Sequence, residues 1–196
     1  MIRNHFLMAL AIISLCMVFT YPKDFRCTFS KGSSSSGVCE YGNEIVKDIN
    51  ASGLINLNET KVTDCATIHG CLYATQAHLN KLHVNGSANL EKCTVHRNTH
   101  INGSLNGKDN IFEGTLTISS NKVCFDATST QSIEIRKITR DNNQQVVILE
   151  NSSTVIGNIT FAAGNGVVVV DCNSKLTGNV IGGVVVKKED YDKDSK

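Results

Sequence analysis

Four glycines recur in the first half of the chain at intervals of 16 or 17 residues: Gly53, Gly70, Gly86 and Gly103. Small or apolar residues follow each of them in fixed columns. Two positions on stand Ile55, Leu72, Ala88 and Leu105, and four positions on stand Leu57, Ala74, Leu90 and Gly107. Nine positions on come Val62, Leu79, Val95 and Phe112, and Ile68, Val84, Ile101 and Ile118 close the units. Such a unit is too short to enclose a core, and too short for a strand–helix–strand element of about 30 residues. Alternation at a spacing of two buries one face of a strand. The remaining solution is one turn of a coil, its successive turns paired as parallel strands about 4.8 Å apart.

A longer period governs the second half. Residues Ile135 to Glu150 align without gaps on Ile156 to Asp171, and Thr177 to Val186 reads as a third, shortened copy carrying Gly178 as the second carries Gly157. The predicted fold is therefore all-β: a single-stranded, right-handed parallel β-helix (β-solenoid) of about seven rungs over residues 49–187. Short rungs span 49–120 and wider ones 121–187, with their junction near Cys124, which falls in the Gly+4 column and so in the core if Ser120 stands in for the repeat glycine. Composition agrees. The chain has one proline and no tryptophan, and its Val and Ile favour strands while Asn and Gly favour tight turns.

Ahead of the repeats, Arg3 and the apolar run Phe6–Phe19 read as a secretory leader over residues 1–20. The run is shorter than the roughly 20 residues of a membrane span. Cleavage near Tyr21, retention as an anchor and lipidation at Cys16 are the alternatives. Residues 21–48 read as a Ser/Gly-rich cap, and residues 188–196 as a charged, disordered tail. The expected location is secreted, periplasmic or cell-surface, with membrane contact only through an uncleaved leader. In an oxidising compartment cysteines pair. Cys27 with Cys39 would close the Ser/Gly loop and Cys65 with Cys71 is the next choice, leaving Cys93, Cys124 and Cys172 unassigned. No C-x-x-C motif occurs.

The rungs Val84-Asn-Gly-Ser-Ala-Asn-Leu90, Ile101-Asn-Gly-Ser-Leu-Asn-Gly107 and Val155-Ile-Gly-Asn-Ile159 resemble the bactofilin-type, polymer-forming β-helix repeats. They are also similar to rungs of pectin-lyase-like exported β-helices. The resemblance covers about residues 49 to 187. Bactofilins are cytoplasmic scaffolds that polymerise end to end, which implies self-association here, although the leader and the cysteines depart from that pattern.

Candidate chemistry is sparse. Glu59, Asp64, Glu91, Asp109 and Glu113 fall in different columns, whereas glycoside hydrolysis needs two carboxylates at about 5 to 10 Å. Asp126, Glu150 and Asp171 form one column, read as solvated turn acids or as a divalent-cation site. His69, His78, His83, His96 and His100 all lie in the first repeat family. His83 and His100 share a column, as outward polar residues or as a metal pair. Asn-x-Ser/Thr triplets at Asn50, Asn58, Asn85, Asn102, Asn151 and Asn158 are glycan acceptors in one setting and by-products of the repeat in another. A net charge of +1 gives no electrostatic case for nucleic acid. No cofactor is implied. The expected function is a non-enzymatic structural or surface-interaction protein presenting a solenoid face to protein or glycan. The alternatives are a carbohydrate-active enzyme and an end-to-end polymer.

Overall fold

The computed structural model describes residues 35–139 and 143–194. It is a β-solenoid of about nine turns with 67% of the described residues in strands. The described strands join in a single sheet whose pairings are parallel. The leader, Cys27 and the first half of the Ser run (Ser33 and Ser34) lie outside the described residues, as does the proposed Cys27–Cys39 bridge. Among the described residues no helix is long and apolar enough to cross a membrane.

The count exceeds seven because the coil begins inside the expected cap. The strand Ser35–Tyr41 pairs with Ala51–Leu57, aligning Gly37 on Gly53, Cys39 on Ile55 and Tyr41 on Leu57. Each turn has three faces, and the columns seen in the sequence stack inside it. Val62, Leu79, Val95 and Phe112 line the first face. Ile68, Val84, Ile101, Ile118, Ile135 and Phe161 line the second. Leu57, Ala74, Leu90, Gly107, Phe125 and Leu149 line the third. These form one continuous core. At Gly107, the one glycine in its column, the space is filled by the Phe125 ring, 3.5 Å from where a Cβ would stand.

The corner between the second and third faces explains the leading repeat glycines. Gly53, Gly70, Gly86 and Gly103 have φ between +115° and +143°. A Cβ on any of them would also run into the carbonyl of the glycine one rung below. Both conditions call for glycine. Gly157 and Gly178 belong elsewhere, at the corner between the first and second faces. Neither has positive φ; close approach is what excludes a side chain, since a Cβ on Gly157 would lie 2.7 Å from the Gln131 carbonyl oxygen.

The corner between the third and first faces carries a second ladder that the repeat pattern does not display. One residue in the left-handed region opens each turn: Glu59, Gln76, Lys92, Asp109, Ala127 and Asn151. A small or polar residue then turns inward. Asn110 accepts from the Cys93 amide at 2.9 Å and donates from Nδ2 to the Leu90 carbonyl at 2.9 Å. Its own amide donates to Thr128 Oγ1 at 3.3 Å, and the Thr128 amide donates to Ser153 Oγ at 3.1 Å. Thr60 Oγ1 reaches the Gly42 carbonyl at 2.9 Å. Buried polar groups are thus satisfied from rung to rung.

Thr99 and Thr130 differ: their buried hydroxyls have no hydrogen-bond partner among the described residues. Thr99→Val and Thr130→Val keep the shape and remove a desolvated hydroxyl, so each should raise stability by about 1 kcal/mol in urea unfolding. A loss of similar size in both would show that the hydroxyls are satisfied after all.

Three expectations need correction. Ile135 pairs with Phe161, not Ile156, because the extra residues of the widest rung fall after Ile135; the 21-residue phase holds from Val146 on, where Val147 meets Val168. Cys124 faces outward rather than into the core. Asn102 pairs with Ser119 but Asn106 pairs with Cys124, so this corner takes one added residue and Phe125 enters the core instead. Finally, the charged tail forms a helix, Lys188–Asp194, with Glu189 and Asp190 in its first turn and Lys193 in its last, which suits the helix dipole.

Candidate functional site

Because the core consumes every second residue, chemistry can stand only on the outer positions of the three faces and at the corners. On the second face two outward columns run side by side. One holds Thr67, His83, His100 and Thr117; the other holds His69, Asn85, Asn102 and Ser119. The His83 and His100 ring centroids are 5.0 Å apart with planes inclined at 50°. Asn102 Nδ2 donates to Asn85 Oδ1 at 2.8 Å, and Asn85 Nδ2 to His69 Nδ1 at 3.3 Å. Burial, the Arg136 charge and His83 together hold the His100 imidazole below its ordinary value, against a hydrogen bond with the Asn102 side chain. At the edge of the first face His78 and His96 stack at 6.3 Å and 13°. His96 Nδ1 meets Glu113 Oε2 at 3.0 Å.

On the third face the outward column Asn56, Tyr73, Asn89, Asn106 lies beside Thr75, Glu91, Lys108. Tyr73 is 48% exposed. It borders a shallow concavity of about 200 Å³ shared with Thr75, Asn89, Glu91, Asn106 and Lys108. Glu91 is the one carboxylate lining it, and Lys108 follows on the next rung. Farther along, the same outward positions become apolar: Ile148, Val167 and Val169 are buried beneath the C-terminal helix, with Cys124, Val146, Val186 and Tyr191 around them.

The acid column is engaged by its own turns. Asn151 Nδ2 donates to Asp126 Oδ1 at 2.8 Å, Glu150 pairs with Lys188, and Asp171 accepts from the amides of Asn151, Asn173 and Ser174 at 2.7, 3.1 and 2.6 Å. Desolvation works to raise the Asp171 carboxyl, but hydrogen bonds from Ser174, Asn151 and Asn173 outweigh it and hold the group low. Among the described residues no three His, Cys, Asp or Glu side chains gather as a metal group. Asn50, Asn58, Asn102, Asn151 and Asn158 are exposed and Asn85 is half-buried.

Cys65 and Cys71 are not bridged. They sit in one unbroken strand, Lys61–Thr75, on either side of the Gly70 corner, so the six-residue spacing encloses no loop. Cys93, Cys124 and Cys172 also carry no disulfide among the described residues, and Cys39 is buried. Burial pushes the Cys93 thiol up, and does so for Cys124. Alkylation followed by mass spectrometry should therefore label the exposed Cys71 and Cys172 first, Cys124 later and Cys93 only on unfolding. Cys93 labelling at the pace of Cys71 would contradict its burial.

Acid should weaken the fold in two stages. His100 and Asp171 both have depressed folded values, so the unfolded chain binds more protons. Their contributions exist above the ordinary values of 6.5 and 3.8 and fade as pH falls through the folded ones. Thermal melting against pH should show both declines, and His100→Asn should remove the first.

Compared with family models, curated proteins and solved structures, the chain matches none of them.

Proposed function

We propose that the chain is an exported, non-enzymatic interaction protein that presents a lateral face of its solenoid to a glycan or protein. One observation carries this reading: the third face sets an exposed aromatic, Tyr73, in a shallow concavity among the amides of Asn89 and Asn106. An aromatic face accepts the C–H side of a sugar ring, and amides both donate to and accept from hydroxyls. Recognition sites of this kind combine a little apolar surface with a few fixed polar groups. The rigid rungs hold those groups without an ordering cost at binding. Titration of the mature chain with cellotetraose and chitotetraose, read by nuclear magnetic resonance, should shift Tyr73, Asn89 and Asn106, and Tyr73→Ala should abolish the shifts. Sugar cleavage during the titration that Glu91→Gln prevents would favour the enzymatic alternative.

A second reading, self-association through the last rung, has its own support. Val185 stands in the core column above Val168, yet is 55% exposed. Cys39 and Tyr41 of the first described rung are buried. Sedimentation across micromolar concentrations should show concentration-dependent assembly that Val185→Lys suppresses; a monomer throughout would rule this reading out.

A further inference from the structure

The geometry points to a transition-metal site on the second face, in which His83 and His100 bind a divalent copper, nickel or zinc ion through two ring nitrogens and water completes the coordination. It is separate from the third-face concavity and independent of what binds there. The two residues are register partners on adjacent rungs, in one outward column. Their side chains therefore leave the sheet on the same side, about 4.8 Å apart at the backbone.

Ring orientation separates this pair from the other. His78 and His96 stack nearly flat, at 13°, and nearly parallel planes set 6.3 Å apart at the centroids keep in-plane lone pairs from meeting between the rings. The His83 and His100 planes are inclined at 50° with centroids at 5.0 Å, which lets the lone pairs converge on one ion. Among the described residues neither is tied to a carboxylate, whereas His96 is engaged by Glu113.

Asn102 stands two residues past His100 on the same strand and donates Nδ2 to Asn85 Oδ1 at 2.8 Å. A side-chain carbonyl in that position can accept a ring N–H and leave the other ring nitrogen as a ligand, as second-shell carbonyls do for metal-bound histidines. Asn85 is in turn held against His69. Imidazole binds metal in its neutral form. Two charges face the pair from later rungs. Arg136 opposes a cation, while Glu134 continues the His83–His100–Thr117 column and favours one. Imidazole nitrogens select copper, nickel and zinc over calcium and magnesium.

The test is calorimetric titration of the full chain with copper, nickel, zinc and magnesium chlorides at pH 7.5 and 5.5, with copper paramagnetic resonance to count nitrogen ligands. One copper should bind with two nitrogens at pH 7.5, magnesium should not bind, and copper should bind more weakly at pH 5.5, where protons compete with metal for imidazole nitrogen. His83→Gln and His100→Gln should each weaken copper at least tenfold, His96→Gln should leave it unchanged, and Asn102→Ala, a positioning change, should weaken it by about tenfold. The outer positions tolerate these replacements without unfolding, which circular dichroism checks. Equal affinity in the His83→Gln/His100→Gln double variant, or a loss that follows His78 or His96 instead, would overturn the assignment.

Discussion

Gly86→Ala should lower the stability of the folded chain by about 3 kcal/mol or more, the range for a strained backbone combined with a backbone clash. Gly86 has φ +143°, and a Cβ there would stand 2.8 Å from the Gly70 carbonyl carbon and closer still to its oxygen. Relief is blocked, because Gly70 is itself seated on Gly53 and Gly53 on Gly37. Two other glycines separate the contributions. Gly37 has φ +115°, and no atom lies within 4 Å of where its Cβ would stand, so Gly37→Ala should cost only the conformational part, about 1–2 kcal/mol. Gly42 has open space and no positive φ, so Gly42→Ala should be neutral or stabilise by up to about 1 kcal/mol. Urea titrations of the three variants should rank in that order. A Gly86→Ala midpoint matching that of Gly42→Ala would mean the glycine column is not required.

Asn110→Leu should cost about 2–5 kcal/mol despite the apolar gain, because two buried backbone groups lose their partners at about 1–3 kcal/mol each. The Cys93 amide and the Leu90 carbonyl both depend on the Asn110 side chain, at 2.9 Å each. Asn110→Thr installs the hydroxyl that the same column uses at Thr60 and Thr128, and should recover part of the loss. Thermal melting of the pair gives the comparison. If the leucine variant melts with or above the threonine one, apolar burial outweighs the ladder.

The coil was legible because stacking in register turns one steric demand into a column of identical residues. Gly53 to Gly103 repeat since each excludes a side chain from the next. The inward ladder at the opposite corner was hidden for the converse reason. Thr60, Ala77, Cys93, Asn110, Thr128 and Ser153 satisfy one requirement, smallness beside a left-handed residue, with differing identities. The signal was their place, just past each third-face strand. Gly37 carries the column signature, with Cys39 and Tyr41 at the correct spacings, but a serine run precedes it. Cys124 misled because one added residue at a corner reverses which side chains point inward. The charge run Lys188–Asp194 gave no apolar stripe; its helix depends on Tyr191 packing and the Lys188–Glu150 pair, contacts made with distant rungs. His83 and His100 were visible as a column, but the inclination of their rings is a property of geometry alone.

The unlike ends of the coil bear on how the molecule comes apart. Each turn leans only on its neighbours, and the last described one, with Val184 and Val185 open to water, pairs on one side only among the described residues. Unwinding has a preferred starting point, and the molecule should unlay like a rope from its carboxyl end, with the short helix as the binding that delays it. Amide hydrogens of Gly183–Lys187 should exchange first, those of Gly166–Val170 next, and those around Leu72 and Leu82 only with global opening.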